Sequence, residues 1–211
     1  MGSLIMHLCV ASKLKKKYKF SDKFIIGQLM PDLLKLAGKD KKETHYIENV
    51  IEESGVKNLP NILKYEQSNE ENIKDEKSLG YLAHLIQDRV WFDNYIGKYA
   101  KTDANDISKV KYLEYNIIKT DKEFSEDMYK DYGNINKYLV EKYNLDINDL
   151  KNTINQISPD EEFKEKINKS FSLNNIDFEK ENTFITKKDL DNYINEAVKK
   201  SSVQIDRILG L

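Results

Sequence analysis

The sequence predicts an all-α fold, a multi-helix bundle around one buried central helix. Three prolines and eight glycines are few for 211 residues. Helix-favouring Lys, Glu and Leu are abundant, and no strand-like alternation of useful length is evident. Residues 1–145 are expected to form the helical core, and residues 146–211 a C-terminal helical extension packed on the same core.

The first two helices are predicted from capping residues and from a proline. Ser3 is expected to cap a helix that ends in lysines near residue 17. The next segment is strongly apolar and contains Pro31. Because proline disfavours the helical conformation of the residue before it, we expect a break near Met30 and a restart at Pro31. Asp32 would then lie at the break among large apolar residues.

The later helices are predicted from capping residues and apolar periodicity. Their expected extents are Thr44 to Gly55, residues 73–98, Asp106 to residue 124, Ser125 to residue 143, Asp146 to residue 157, a helix from Ser158, and Thr186 to Leu209. Within the helix after Ser125, an apolar stripe typical of a core runs through Met128, Tyr132, Ile135 and Leu139. Asp131 borders this stripe.

The central helix carries a histidine and an aspartate inside an apolar segment. His84 and Asp88 are four residues apart, so they lie one turn apart on the same face. Apolar residues surround almost the whole circumference, which is typical of a buried helix. A buried carboxylate needs a cation or a hydrogen-bond partner. A metal ion would meet that need; a hydrogen-bonded His–Asp pair, or pairing of Asp88 with Arg89 or a lysine, is the alternative.

The composition narrows the classes of function. The net charge is only -2, and no nucleic-acid-binding patch is evident. Cys9 is the single cysteine, so a bound metal would take nitrogen and oxygen ligands. No segment reaches the ~20 apolar residues of a membrane span. The N-terminal apolar run precedes its lysines, the reverse of a secretory signal, so a cytoplasmic protein is expected.

All three histidines lie in the first 84 residues, each in a segment with an inward-facing aspartate or an apolar face. Together with two aspartates they form a candidate metal-binding set of five: His7, Asp32, His45, His84 and Asp88. Imidazole and carboxylate ligands suit zinc, iron, manganese or nickel and discriminate poorly among them.

Four segments that contain these residues, in this order, resemble the zinc-dependent phospholipase C family, whose superfamily includes fungal single-strand nucleases: MHLCVASKL, FIIGQLMPD, ETHY and GYLAHLIQD. The resemblance covers residues 1–95. It implies that Asp32, His45, His84 and Asp88 hold one ion. It also implies that His7, with a shared Asp88, belongs to a second ion position. On this resemblance zinc is the expected metal, with one or two ions bound.

The chain departs from the family pattern at three places. Members with three metals begin at a processed N-terminal tryptophan, whereas six residues precede His7. They also carry a histidine about six residues after the equivalent of Asp88, where this chain has Asn94, and later a His-x-x-x-Glu pair. Asp93 or Asp131 could supply oxygen ligands instead, so three ions are not expected.

These features predict a metal-dependent hydrolase whose metal-activated water attacks a phosphodiester or phospholipid-like substrate. The expected partner is a small phosphodiester or a lipid head group, and Asp93 or Asp131 could transfer the proton. The alternative is a non-catalytic, metal-stabilised helical protein that acts as a binding or interaction module. An HD-type phosphohydrolase fits less well, because the chain has no adjacent His-Asp pair.

Overall fold

The computed structural model of the chain describes residues 3–53, 55–103, 105–106, 108–113, 117–148, 151–152, 165 and 185–211. These residues form mostly helix, but they also include a five-stranded antiparallel sheet, so the all-α prediction is wrong. The helices are α1 (Leu4–Tyr18), α2 (Asp22–Leu36), α3 (Lys41–Thr44), α4 (Ile62–Ser68), α5 (Glu76–Val90), α6 (Gly97–Tyr99), α7 (Asp121–Tyr143) and α8 (Lys187–Leu209). A short 3-10 turn (Glu70–Asn72) precedes α5, and a π-helical turn (Trp91–Ile96) follows it.

The sheet has the same order in space as along the chain. Its strands are β1 (Ile47–Glu52), β2 (Gly55–Pro60), β3 (Ala100–Thr102), β4 (Lys109–Tyr112) and β5 (Ile117–Thr120). Each strand pairs antiparallel with the next one. The long connection between β2 and β3 contains α5. Strands β1 and β2 precede this helix, and β3, β4 and β5, which follow it, join the same sheet.

The hairpin of β1 and β2 replaces the helix that was predicted from Thr44 to Gly55. Ile47 pairs with Pro60 and Glu52 with Gly55 across the hairpin. Gly55 adopts φ +140°, and a Cβ atom there would lie 2.4 Å from the carbonyl oxygen of Thr102 on β3. Glycine is required at this position because both the backbone conformation and the close approach exclude a side chain.

Strands β4 and β5 replace most of the helix that was predicted from Asp106 to residue 124. In β4, Val110 and Tyr112 are buried, whereas Lys109 is exposed and Lys111 is half-buried. This alternation is the period of a strand with one buried face. It extends over four residues only, which is too short to stand out in the sequence.

Several helix limits agree with the sequence. Ser3 caps α1 by accepting a hydrogen bond from the backbone N–H of Met6 at 3.1 Å. Thr186 caps α8 by accepting from the N–H of Asp189 at 3.1 Å, and α8 ends at Leu209 as predicted. Helix α7 begins four residues before Ser125, because Thr120 and Glu123 form a capping box. The apolar stripe on α7 is buried, as predicted.

Helix α2 continues through Pro31, so the predicted break near Met30 is wrong. The helix packs tightly against α5 on the N-terminal side of the proline. A Cβ atom on Gly27 would lie 2.0 Å from the carbonyl oxygen of Lys77, and one on Gly80 would lie 2.1 Å from that of Phe24. The backbones of the two helices therefore touch, which only glycine allows.

The hydrophobic core is built from α1, α2, α5, α7 and α8, with contributions from the sheet. Leu190, Tyr193 and Ile194 of α8 belong to the same core cluster as the apolar residues of α1. Asp146 accepts a hydrogen bond from the N–H of Asn148 at 3.0 Å. Most of the helix predicted after it, and the helix predicted from Ser158, lie outside the described residues. In the described part of the chain, no helix is long and apolar enough to cross a membrane.

Candidate metal centre

The five residues predicted to bind metal come together inside the helical core. His7 lies on α1, Asp32 on α2, and both His84 and Asp88 on α5, while His45 directly follows α3. The three histidines are 0% exposed, Asp88 is 2% exposed and Asp32 is 7% exposed. His45 is thus not the solvent-facing residue that its polar surroundings in the sequence suggest. Five polar side chains at such depth need partners for their charges.

The ligand atoms form two overlapping groups of three. One group is His45, His84 and Asp88, the other is His7, Asp32 and His84, and within each group the atoms lie within 4.8 Å of one another. The Nε2 atoms of His45 and His84 are 3.3 Å apart, and Asp32 Oδ1 is 3.3 Å from Nε2 of His45. Asp88 Oδ2 lies 3.7 Å from each of these nitrogens. Atoms bound to zinc at the corners of a tetrahedron, with bonds of about 2.0–2.1 Å, would be about 3.3–3.4 Å apart. The two 3.3 Å contacts match this spacing, and those of Asp88 are slightly longer.

Hydrogen bonds fix which nitrogen of each ring carries the proton. Nδ1 of His84 lies 2.8 Å from the carbonyl oxygen of Gln28, which can only accept. Nδ1 of His45 lies 2.9 Å from Oγ1 of Thr44, whose own proton goes to the carbonyl oxygen of Lys41. In the neutral imidazoles, the Nε2 lone pairs therefore face each other. A proton on one of them, or a cation among all four atoms, would remove the repulsion.

The charge states favour a cation. Burial lowers the pKa of His84 to about 3, and the nearby His7 acts in the same direction. Burial raises the pKa of Asp32, but the contact of its carboxylate with His45 and the other nearby imidazoles outweigh burial and hold this pKa below its usual range. At neutral pH the site therefore combines a neutral imidazole at residue 84 with an ionised carboxylate at residue 32.

A second position lies between His7 and Asp88. Nδ1 of His7 is 3.1 Å from Oε1 of Gln87, and its Nε2 is 3.3 Å from Asp88 Oδ1. Burial lowers the pKa of His7, but the contact with the charged Asp88 outweighs burial and raises this pKa, so a proton on Nε2 competes with a metal ion for this position. In the described part of the chain, His7 Nε2 has no hydrogen-bond partner. Asp88 thus offers Oδ1 to His7 and Oδ2 to the other two histidines. A carboxylate in this arrangement can bridge two ions.

Local packing explains how the elements converge. The ring of His7 stacks on that of His84, with centroids 4.0 Å apart. The side-chain amide of Gln28 donates to the carbonyl oxygen of His7 at 3.3 Å, which links α2 to α1. Tyr46, next to His45, adopts the left-handed conformation with φ +51°. Such a conformation is uncommon outside glycine, and here it turns the chain from α3 into β1.

The two additional carboxylates do not join this cluster. Asp93 forms an ion pair with Lys57, with Oδ1 and Nζ 2.7 Å apart. Asp131 is buried, and its Oδ2 accepts a hydrogen bond from the N–H of Ile185 at 3.3 Å. Neither belongs to the described groups whose ligand atoms lie within 4.8 Å of one another.

Sequence reasoning overlooked the residues that orient the ligands. Gln28, Thr44 and Gln87 bond to the ring nitrogens or backbone of the histidines, as described above. Gln28 and Gln87 are 0% exposed. A glutamine inside an apolar helix, directly before or one turn before a candidate aspartate, is the signal that could have identified two of them.

A cavity of about 150 Å³ borders Asp88 and leads away from the centre. Its walls are strands β2 to β4, the π-helical turn after α5, and the first turns of α7. The sheet that the sequence did not predict therefore forms one side of the cavity that adjoins Asp88. Buried His and Asp groups in this protein could hold a metal ion, and one of them adjoins a cavity.

Comparisons with protein-family models, with curated proteins and with solved structures found no match for this chain. The five-residue centre and its cavity are therefore interpreted from their own geometry.

Proposed function

We propose that this protein is a metal-dependent hydrolase of phosphodiester or phospholipid-like substrates. The single observation that supports it most is the pair of facing Nε2 atoms of His45 and His84, 3.3 Å apart and flanked by two carboxylates. The order of the five residues along the chain is also similar to that of the zinc-dependent phospholipase C family. Both features favour zinc, with one or two ions bound and with iron, manganese or nickel as alternatives.

Each ligand has a definite part in this proposal. Asp32, His45, His84 and Asp88 would hold the first ion, and His7 with Asp88 the second. When bound, a divalent ion would supply Lewis acidity and activate water for hydrolysis. Asp88 is the ligand that borders the cavity, so the substrate would approach the centre from that side.

Lys41 would offset the negative charge of the substrate. It lines the cavity, and its Nζ lies 5.9 Å from the ring centroid of Phe92 on the opposite wall. The ion pairs found among the described residues do not include Lys41, so its charge is available. Lys57, also at the cavity, is already paired with Glu52 and Asp93, at 2.8 and 2.7 Å.

The test is turnover of bis-p-nitrophenyl phosphate by the full chain loaded in turn with zinc, iron, manganese and nickel. We expect turnover with at least one metal and its loss in Asp32→Asn, which keeps the size of the side chain and removes its charge. Asp22→Asn is the matched control, because Asp22 lies on the same helix but is exposed and paired with Lys15. No turnover with any of the four metals would exclude the hydrolase.

The burial of the centre favours a second candidate function. Four protein ligands closed off from water are typical of a structural ion, and the three imidazoles are 0% exposed. In this case the protein would be a metal-stabilised binding or interaction module. Chelation followed by circular dichroism separates the two: a structural ion should be needed for folding, whereas a catalytic one should leave a folded apo-protein.

A further inference from the structure

Both polar and apolar residues line the cavity beside Asp88, and part of its wall is apolar. Strands β2, β3 and β4 contribute Val56, Ala100 and Val110 to this apolar part, and each of them is at most 8% exposed. Ile96 of the π-helical turn and Met128 of α7 also line the cavity. An apolar surface beside a cluster of charged ligands would bind a group that is itself apolar.

The charged residues of the cavity lie beside its apolar walls. Phe92 follows Asp88 by one turn, and the centroid of its ring lies 5.9 Å from Nζ of Lys41. Lys101 is paired with Glu52, so its charge is compensated within the sheet. Lys41 and the exposed Asp121, at the start of α7, take part in none of the ion pairs found among the described residues. A bound ion would therefore supply the surplus positive charge beside the cavity.

We infer that this cavity binds one compact apolar group, about the size of a single aromatic ring, that belongs to a phosphoryl substrate. The inference rests on the proposed function and specifies its substrate class. A cavity of about 150 Å³ is about as large as an engineered apolar cavity that holds benzene. Two acyl chains would need several times that volume. Aryl or similarly compact phosphate esters therefore fit, and diacyl phospholipids do not.

The test compares two non-hydrolysable probes that share the phosphonate group and differ only in the ring. Phenylphosphonate and methylphosphonate are titrated into the zinc-loaded full chain by calorimetry. We expect phenylphosphonate to bind at least about tenfold tighter, because its ring leaves water for an apolar wall. Equal affinity of the two probes, or no binding of phenylphosphonate, would overturn the inference.

A variant that fills the cavity sharpens the comparison. Ala100→Leu adds a larger side chain to the cavity wall and should abolish the preference for phenylphosphonate while leaving methylphosphonate binding unchanged. Ala37→Leu is the matched control, because Ala37 is exposed at the end of α2. If Ala100→Leu does not fold, Val110→Ala enlarges the same cavity and should improve binding of 1-naphthylphosphonate relative to phenylphosphonate. An unchanged preference in the folded variant contradicts the inference.

Turnover measurements keep this inference apart from the proposed function. A preference for the ring without turnover of bis-p-nitrophenyl phosphate would support the cavity and remove the hydrolase. Turnover of bis-p-nitrophenyl phosphate without a preference for the ring would support the hydrolase and contradict the cavity assignment. Faster turnover of phosphatidylcholine vesicles than of the aryl ester, unaffected by Ala100→Leu, would also overturn the cavity assignment.

Discussion

Neutral oxygen atoms, rather than carboxylates, orient each imidazole in the centre. The backbone carbonyl of Gln28, the hydroxyl of Thr44 and the amide of Gln87 each accept a ring proton. Both aspartates thus keep their oxygens for a cation. A neutral acceptor also leaves the ring less basic than a carboxylate would, which suits a nitrogen that must bind metal in its unprotonated form.

Replacing one of these acceptors should affect one ion position only. In Gln87→Leu, the Nδ1 proton of His7 loses its acceptor, so the ring can change tautomer or rotate. We expect about 10–100-fold weaker binding at the second position and unchanged binding at the first. Elemental analysis after dialysis against a graded series of zinc concentrations measures both.

Gln204→Leu serves as the control for this change, because Gln204 bonds to Glu66 on the other side of the molecule. Equal zinc content of Gln87→Leu and the parent chain at every concentration would show that metal binding by His7 does not depend on its hydrogen bond to Gln87.

The identities of the ligands followed from the sequence better than their surroundings did. Histidine and aspartate are rare in apolar helices, so their chemistry stands out without coordinates. The hydrogen bonds of Gln28 and Thr44 connect residues on different elements, and no local pattern encodes them. His45 illustrates the limit: its neighbours in sequence are polar, yet the fold buries it completely.

At the scale of helices, the contact between α2 and α5 determines the geometry of the centre. These two helices supply Asp32, His84 and Asp88, and their backbones touch at Gly27 and Gly80. Any increase in their separation would also move the carbonyl of Gln28 away from His84. The helix contact and the metal ligands therefore depend on each other.

Gly80→Ala should disturb both. The new Cβ would lie 2.1 Å from the carbonyl oxygen of Phe24, and backbone atoms cannot yield as a flexible side chain can. We expect a loss of about 3 kcal/mol or more in the free energy of unfolding, measured by urea denaturation, together with weaker zinc binding. Lys77→Ala, an exposed change on the same helix, should alter neither. Parent-like stability of Gly80→Ala would contradict the close contact.

At the scale of strands, the acidic residue Glu52 connects three neighbouring strands. Glu52 of β1 bonds to Lys101 of β3 and to Lys57 of β2, and these lysines lower its pKa to about 2. Because the pKa is lower in the folded chain than its ordinary value of 4.5, the stabilisation is complete above about pH 4.5. It is lost as the pH falls toward about 2.

Glu52→Gln should therefore be less stable than the parent chain at pH 7 and equally stable near pH 2. The difference at pH 7 should be small, since the pair is partly exposed. Thermal unfolding as a function of pH measures it, and Glu53→Gln is the neighbouring control. A difference that does not depend on pH would mean that the charge of Glu52 plays no part.

The five strands were not predicted from the sequence, and the main reason is that they are short. Strands β3, β4 and β5 have three or four residues each, so alternation has no room to become distinct from helical periodicity. The partner of β3 is β2, which is three helices away in the sequence. The capping residues of α1 and α8, in contrast, act within a single turn and were predicted correctly.

For the whole molecule, metal binding should increase the free energy of unfolding. An ion that binds only the folded chain, at a concentration of 100 times its dissociation constant, adds about 2.7 kcal/mol. For a chain of this size that corresponds to roughly 5–11 °C in Tm. Differential scanning calorimetry with and without zinc measures the shift.

Asp88→Asn should remove most of this shift, since Asp88 contributes to both ion positions. Asp22→Asn should retain it. An equal rise of Tm in the parent and in Asp88→Asn would place the stabilising ion elsewhere on the protein.

In the proposed two-ion centre, Asp88 would also make the two positions interdependent. The first ion to bind would fix the orientation of the carboxylate and withdraw electron density from the oxygen that remains. The affinity of each position would then change with the occupancy of the other, by the same factor in both directions. Loading with metal would follow a linked, two-step isotherm, and no single substitution at residue 88 could silence one step while sparing its neighbour.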